Sequence, residues 1–158
     1  MNLNVLLEQY QNSPHLFQLV DKLSFAQTQH LFLKNLQGSS SEFVVSAVFM
    51  HPNCQQLNHL VVLNDAEEAA YFHNTLENLT NALDLFYFPS SFKNRKNFRL
   101  LNSSHVMLRT EALTKLSAGG NRTIIVTYPE ALLEQVGLPK PPSKSIIDVK
   151  KKEETEQR

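Results

Sequence analysis

The chain has 158 residues, 42% hydrophobic and 19% charged, which suits one packed domain and argues against wholesale disorder. Lysine plus arginine and aspartate plus glutamate both total 15, so no net field directs the chain towards nucleic acid or an anionic membrane. Cys54 is the single cysteine, which excludes an internal disulfide framework and a cysteine-rich zinc site and suits a reducing compartment.

The N-terminus, MNLNVLLEQYQNSPH, has neither the basic flank nor the continuous apolar core of a secretion signal. No apolar run approaches the roughly 20 residues of a membrane span, so the expectation is a soluble, cytoplasmic protein that meets no membrane. Leu3, Leu6, Leu7, Tyr10, Leu16, Phe17, Val20 and Leu23 recur at helical spacings broken by Asn12-Ser13-Pro14. Two short helices follow, Ser13 capping the second and Pro14 in its first turn. The apolar His30-Leu31-Phe32-Leu33 reads as a strand, residues 37–41 as a polar loop, and Phe43, Val44, Ala47, Val48 and Met50 as a helix stopped by Pro52.

The pattern then repeats. Leu60-Val61-Val62-Leu63 has the continuous apolarity of a strand buried in a parallel sheet. Asn64 or Asp65 caps a helix reaching about Leu79, with Ala66, Ala69, Ala70, Phe72 and Leu76 on its inner side. Leu85-Phe86-Tyr87-Phe88 is a strand ended by Pro89. Ser103 or Ser104 opens a helix carrying Val106, Leu108, Ala112, Leu113 and Leu116, which Ala118-Gly119-Gly120 stops. Thr123-Ile124-Ile125-Val126-Thr127 is the clearest strand, followed by Pro129 and a short helix over residues 130–136. Strands alternating with helices predict an α/β domain over residues 1–137: three layers, a mostly parallel sheet with helices on both faces. Residues 138–158, rich in proline, serine and lysine, read as a solvated linker.

A predicted strand, a Gly/Ser loop and a helix at residues 31–50 form the setting of a phosphate loop. That chemistry needs G-x-x-x-x-G-K-[ST]: glycines bring backbone N–H groups around phosphate, lysine neutralises it, and the hydroxyl holds magnesium. Asn35 stands at the first glycine, Ser40 at the second, Ser41 at the lysine and Glu42 at the hydroxyl residue, with Gly38 and Ser39 between. A carboxylate about 4 Å from a triphosphate charge costs about 4 kcal/mol at an effective dielectric of 20. Glu42 instead suits a helix first turn, where the dipole favours negative charge. The loop is a degenerate one, and no cofactor, metal or catalytic residue is expected.

Four other groups carry chemistry. Lys93, Arg95, Lys96 and Arg99 alternate with Phe92 and Phe98 beyond a strand end, a pattern for gripping a nucleic-acid backbone or a protein partner; a solvated loop anchored by phenylalanine is the simpler reading. Arg109 and Glu111 on one helix form a candidate buried or interdomain ion pair. His51 and Cys54 are spaced as two metal ligands but lack a second pair. Ser39, Ser40 and Ser41 lack the nucleophile-elbow pattern and read as turn and cap residues.

Together LFLKNLQGSSSEFVVSAVF, LNHLVVLNDAEEAAYFHNTL, Phe88-Pro89, the Arg109, Leu113 and Leu116 helix, and IIVTYPEALLEQV resemble the start of the bacterial transcription-repair-coupling factors (the Mfd family). The N-terminal region of that family is similar to the first domain of the excision-repair protein UvrB. The resemblance covers about residues 3–136 and rests on the order and spacing of motifs, none specific alone. Tyr128 replaces a usual serine, and the loop after Pro89 is basic where the family has an acidic element, which leaves any family role of that loop open.

The resemblance implies a degenerate, non-hydrolysing relative of the UvrB ATPase domain and an arginine at 109 that supports the domain. It also implies a parent protein that translocates on DNA with ATP, displaces stalled RNA polymerase and recruits UvrA. The motor would lie downstream and the UvrA-binding module would begin near residues 146–158. Partners of this segment would be the other domains of the parent, with RNA polymerase and UvrA reached through the full-length protein. Two alternatives stand beside it: a stand-alone Rossmann-like nucleotide-binding domain or enzyme, and a nucleic-acid-binding domain using residues 92–99.

Overall fold

The computed structural model describes residues 2–25, 27–81, 84–92, 100–119 and 122–134. The basic loop carrying Lys93, Arg95, Lys96 and Arg99, and the 138–158 tail, therefore lie outside the described residues. In chain order the elements are α1 (Leu3–Gln11), α2 (Pro14–Leu23), α3 (Ser40–Met50), a 3-10 turn at Pro52–Cys54, and β1 (His59–Val62). They continue with α4 (Ala66–Thr80), β2 (Leu85–Phe88), α5 (Ser103–Ser117), β3 (Ile124–Thr127) and α6 (Pro129–Leu133). None of the described helices is long and apolar enough to cross a membrane.

The three strands form a parallel sheet in the order β1-β3-β2, with His59 and Leu85 both in register with Ile124. The first crossover passes over the position of β3, and the second, through α5, returns to fill it. Side chains alternate across a strand, and β2 shows which helix owns which face. Tyr87 bonds the Ala66 carbonyl and meets His73 of α4, while Phe88 lies under Arg109 of α5. Helices therefore lie on both faces of β2, while Leu60 and Val62 leave one face of β1 exposed: an α/β arrangement around a small open sheet.

Caps explain where the helices begin. Asp65 accepts from the Glu68 N–H at 2.9 Å, and the Glu68 carboxylate reaches back to the Asn64 N–H at 3.0 Å, so orphan donors at the start of α4 are satisfied reciprocally. The α5 cap is Asn102, not Ser103 or Ser104: its side chain accepts from the backbone of Ser104 and His105. The helix thus starts at the first of the two serines. Ser13 stands at the N-cap of α2 but makes no side-chain cap bond, so Pro14 starts that helix through its fixed φ. Asn81 ends α4 in the left-handed conformation, φ 56°, which asparagine tolerates better than most residues.

Two apolar clusters hold the domain. One lies around the sheet, with Phe49, Ala69, Phe72, Leu76, Ile124 and Val126 at its centre. The other joins α1, α2 and α3 through Leu7, Leu16, Val20, Phe43, Ala47 and Val48, with Cys54 and Leu79 at its margin. Because α3 contributes to both, it ties the N-terminal helices to the sheet.

Residues 30–33 depart from expectation: residues 28–37 form no regular structure, and Phe32 is 85% exposed. A strand needs a partner edge, and here the chain runs from α2 to α3 along the helical layer, where none of the described strands lies beside it. Among the described residues the sheet accordingly has three strands, and β1 is an edge with Leu60 and Val62 exposed.

Candidate functional site

Two places bear on function: the turn into α3 and the C-terminal ends of β2 and β3. In the turn, Asn35 and Gly38 both take left-handed backbone, φ 63° and 55°. Asn35 holds the position of the motif's first glycine, so a glycine-like kink survives there without glycine. The hydroxyls that follow are engaged internally. Ser40 donates to the Gln37 carbonyl at 2.6 Å and accepts from Tyr10 at 3.1 Å, and Ser41 donates to Glu42 at 2.7 Å. Glu42 occupies the first turn of α3, and Ser39 is its N-cap residue without a side-chain cap bond.

Beside this turn lies a cleft of about 510 Å³ between α1, α2 and residues 32–36. Leu16, Leu19 and Val44 contribute apolar walls, and Ser13, His15 and Lys34 contribute polar groups. Its lining contains no carboxylate. Lys34 is the nearest counterpart to a phosphate-loop lysine, but it precedes the turn instead of following it.

At the strand ends, Arg109 is 7% exposed and lies over Phe88 with its guanidinium carbon 4.0 Å from the ring centre. It donates to the carbonyls of Pro89 at 2.9 Å and Ala131 at 3.0 Å and pairs with Glu134 at 3.5 Å. Glu134 accepts from both the backbone and the side chain of Ser91 and from the Ser90 hydroxyl. The Tyr128 hydroxyl accepts from the Ser90 N–H, and a His105 ring nitrogen meets the Ser90 carbonyl at 2.7 Å. Arg109, Glu134, Ser90, Ser91, Tyr128 and His105, six residues from three segments, thus satisfy one another.

The expected Arg109–Glu111 pair does not form. Positions i and i+2 of a helix point to different sides; Arg109 lies over Phe88, while Glu111 is exposed and borders the small cavity beside Leu85, Phe86 and Tyr87. Glu134, Ser90 and Ser91 escaped sequence reasoning because each belongs to a loop or helix end remote in the chain. The Ser-Ser pair after Pro89 was the one local signal, since two hydroxyls and two free N–H groups at a strand end require an acceptor.

Electrostatics follow the geometry. Burial disfavours the charged guanidinium and lowers the Arg109 pKa, against the opposing pull of Glu134. For Glu134 burial works to raise the pKa, but hydrogen bonds from Ser90 and Ser91 and the Arg109 charge outweigh it and hold the carboxyl below its ordinary range. Such a group stays ionised at neutral pH, so it cannot act as a general acid there. Ser90 donates to the Glu134 carboxylate while the His105 ring nitrogen meets the Ser90 carbonyl, so the imidazole is engaged by the backbone and not by the serine hydroxyl.

His51 accepts from the Asn53 N–H as a turn cap, and Cys54 is buried with its thiol pKa pushed up by burial. Among the described residues no group of three or more metal-ligating side chains converges. Compared with protein-family models, with curated proteins and with solved structures, the chain matches none of them.

Proposed function

We propose that this chain is a non-catalytic, UvrB-like module of a transcription-repair-coupling factor, a degenerate member of the phosphate-loop class that works through contacts with other domains of its parent. The observation that carries this reading is the turn into α3. Ser40 and Ser41 donate to Gln37 and Glu42 instead of presenting free hydroxyls, and Glu42 stands where a triphosphate would need a neutral group. A second observation supports it: the strand ends where open α/β sheets take ligands are occupied by the mutually satisfied Arg109, Glu134, Ser90 and Ser91.

Thermal unfolding in the presence of magnesium ATP tests the reading. No rise in melting temperature is expected at millimolar nucleotide. A ligand at 100 times its dissociation constant adds about 2.7 kcal/mol, so saturable stabilisation would replace this reading with a nucleotide-binding domain. The coding sequence downstream tests parentage separately: a second UvrB-like module followed by a helicase motor is expected, and an unrelated continuation removes the family assignment.

A further inference from the structure

The outer edge of β1 presents backbone groups and apolar side chains together. His59 and Leu63 donate their N–H groups to the carbonyls of Thr123 and Thr127, so the pleat turns the N–H and C=O of Leu60 and Val62 away from β3. None of the described residues pairs these outward groups, although main-chain groups in folded proteins are overwhelmingly paired or hydrated. The side chains of Leu60 and Val62 are 59% and 48% exposed. They are in register with Ile125 and Thr127, and through β3 with Phe86 and Phe88, so they share the face on which Arg109 covers Phe88. Helix α5 packs on β2 there and leaves β1 open.

A second copy pairing β1 with β1 has to be gathered from solution, whereas a tethered segment of the same chain arrives at an effective concentration of about a millimolar. Downstream of Pro141-Pro142 the sequence offers such a segment. Ile146, Ile147 and Val149 stand together between Ser143-Lys144-Ser145 and Lys150-Lys151-Lys152, and β-branched residues of this kind suit a short strand. The point of departure also fits. Glu134 is held by Ser90 and Ser91 just beyond the C-terminal end of β2. A strand outside β1 lies about 14 Å from there, three spacings of about 4.8 Å across the sheet. Residues 135–145 span up to about 36 Å when extended, so the connection reaches with slack. A chain that enters at this end runs along β1 antiparallel, a common way for an otherwise parallel sheet to finish.

We propose that residues 146–149 add to the outer edge of β1 as an antiparallel strand, with Val149 opposite Leu60 and Ile147 opposite Val62. That register gives the outward N–H and C=O groups of Leu60 and Val62 their partners and lays two β-branched side chains beside the exposed pair on the same face. The inference goes beyond the proposed function and is independent of parentage: it makes these residues part of this sheet instead of a solvated linker or the start of a following module.

Amide hydrogen exchange, followed by NMR on the isotope-labelled full chain, tests this. The comparison is with the full chain carrying Ile147→Asp and Val149→Asp together. The Leu60 and Val62 amides are expected to exchange at least tenfold more slowly in the unsubstituted chain than in the variant. The Val61 and Leu63 amides, which face β3, should exchange alike in both and so report that the variant is folded. Nuclear Overhauser contacts are expected from Ile147 to Val62 and from Val149 to Leu60, and protection of Leu60 and Val62 should survive tenfold dilution. Equal exchange of Leu60 and Val62 in the two proteins, fast or slow, overturns the proposal, as do contacts that place Ile147 and Val149 elsewhere. Protection lost on dilution also overturns it and gives the edge to a second copy. If the variant loses protection at Val61 and Leu63 as well, the Overhauser contacts of the unsubstituted chain decide.

Discussion

Arg109 shows how much one side chain can organise. Its guanidinium closes two carbonyls and a carboxylate with one planar group, which lysine cannot reproduce. Removing the carboxylate leaves that cation buried with two neutral acceptors, so Glu134→Gln is expected to cost about 2–3 kcal/mol, measured by urea unfolding at pH 7. The pH dependence follows from sign. The folded carboxyl titrates below its ordinary 4.5, so its contribution is complete above that value and drains away as pH falls through the folded pKa. The wild-type acid limb of the melting curve should therefore be steeper below pH 4.5 than that of the variant.

His59 behaves oppositely in charge but alike in direction. Its ring packs edge-on against Phe49, its buried Nε2 has no partner among the described residues, and burial lowers its pKa from 6.5. Unfolding frees it to bind a proton, so its contribution is full above pH 6.5 and is lost as pH falls towards the folded value. His59→Phe keeps an aromatic ring there and should flatten the stability profile below pH 6.5, read from melting temperatures.

At the level of elements, capping residues carry most of the legible signal. Asn64 or Asp65 was recognisable as a cap because short polar side chains precede an alanine-rich helical run, and the structure gives the role to Asp65, which accepts from the Glu68 N–H. Asp65→Ala should cost about 1 kcal/mol, checked by chemical denaturation, while leaving the helical circular dichroism at low denaturant nearly unchanged. Residues 60–63, 85–88 and 123–127 were readable as strands because continuous apolarity suits a sheet covered on both faces, and β1, β2 and β3 lie there within a residue at each end. The same logic misread residues 30–33. Apolarity shows that a segment is able to be a strand, but a hydrogen-bonded neighbour decides whether it is one.

For the molecule as a whole, α3 is the hinge between two cores, and Phe49 is its main anchor. At 1% exposed it packs in the sheet-side cluster and meets both His59 and Arg122. Phe49→Ala is expected to cost about 3–5 kcal/mol by equilibrium unfolding, a large share of a typical domain's stability of about 5–15 kcal/mol. Destabilisation of that size should also loosen the turn into α3 and the cleft beside it, which hydrogen exchange at residues 36–44 can register.

What the chain determined by itself was local: most helix and strand positions, the Asn64-Asp65 start of α4, the apolar faces, and a Gly/Ser turn followed by no lysine. These follow from residues a few positions apart, where spacing alone fixes which side chains meet. Tertiary structure decided the rest: the β1-β3-β2 order, the choice of Glu134 over Glu111 as partner of Arg109, and the exposure of residues 30–34. Each depends on which distant segment arrives alongside, and that is set by the packing of the two cores and not by any local pattern.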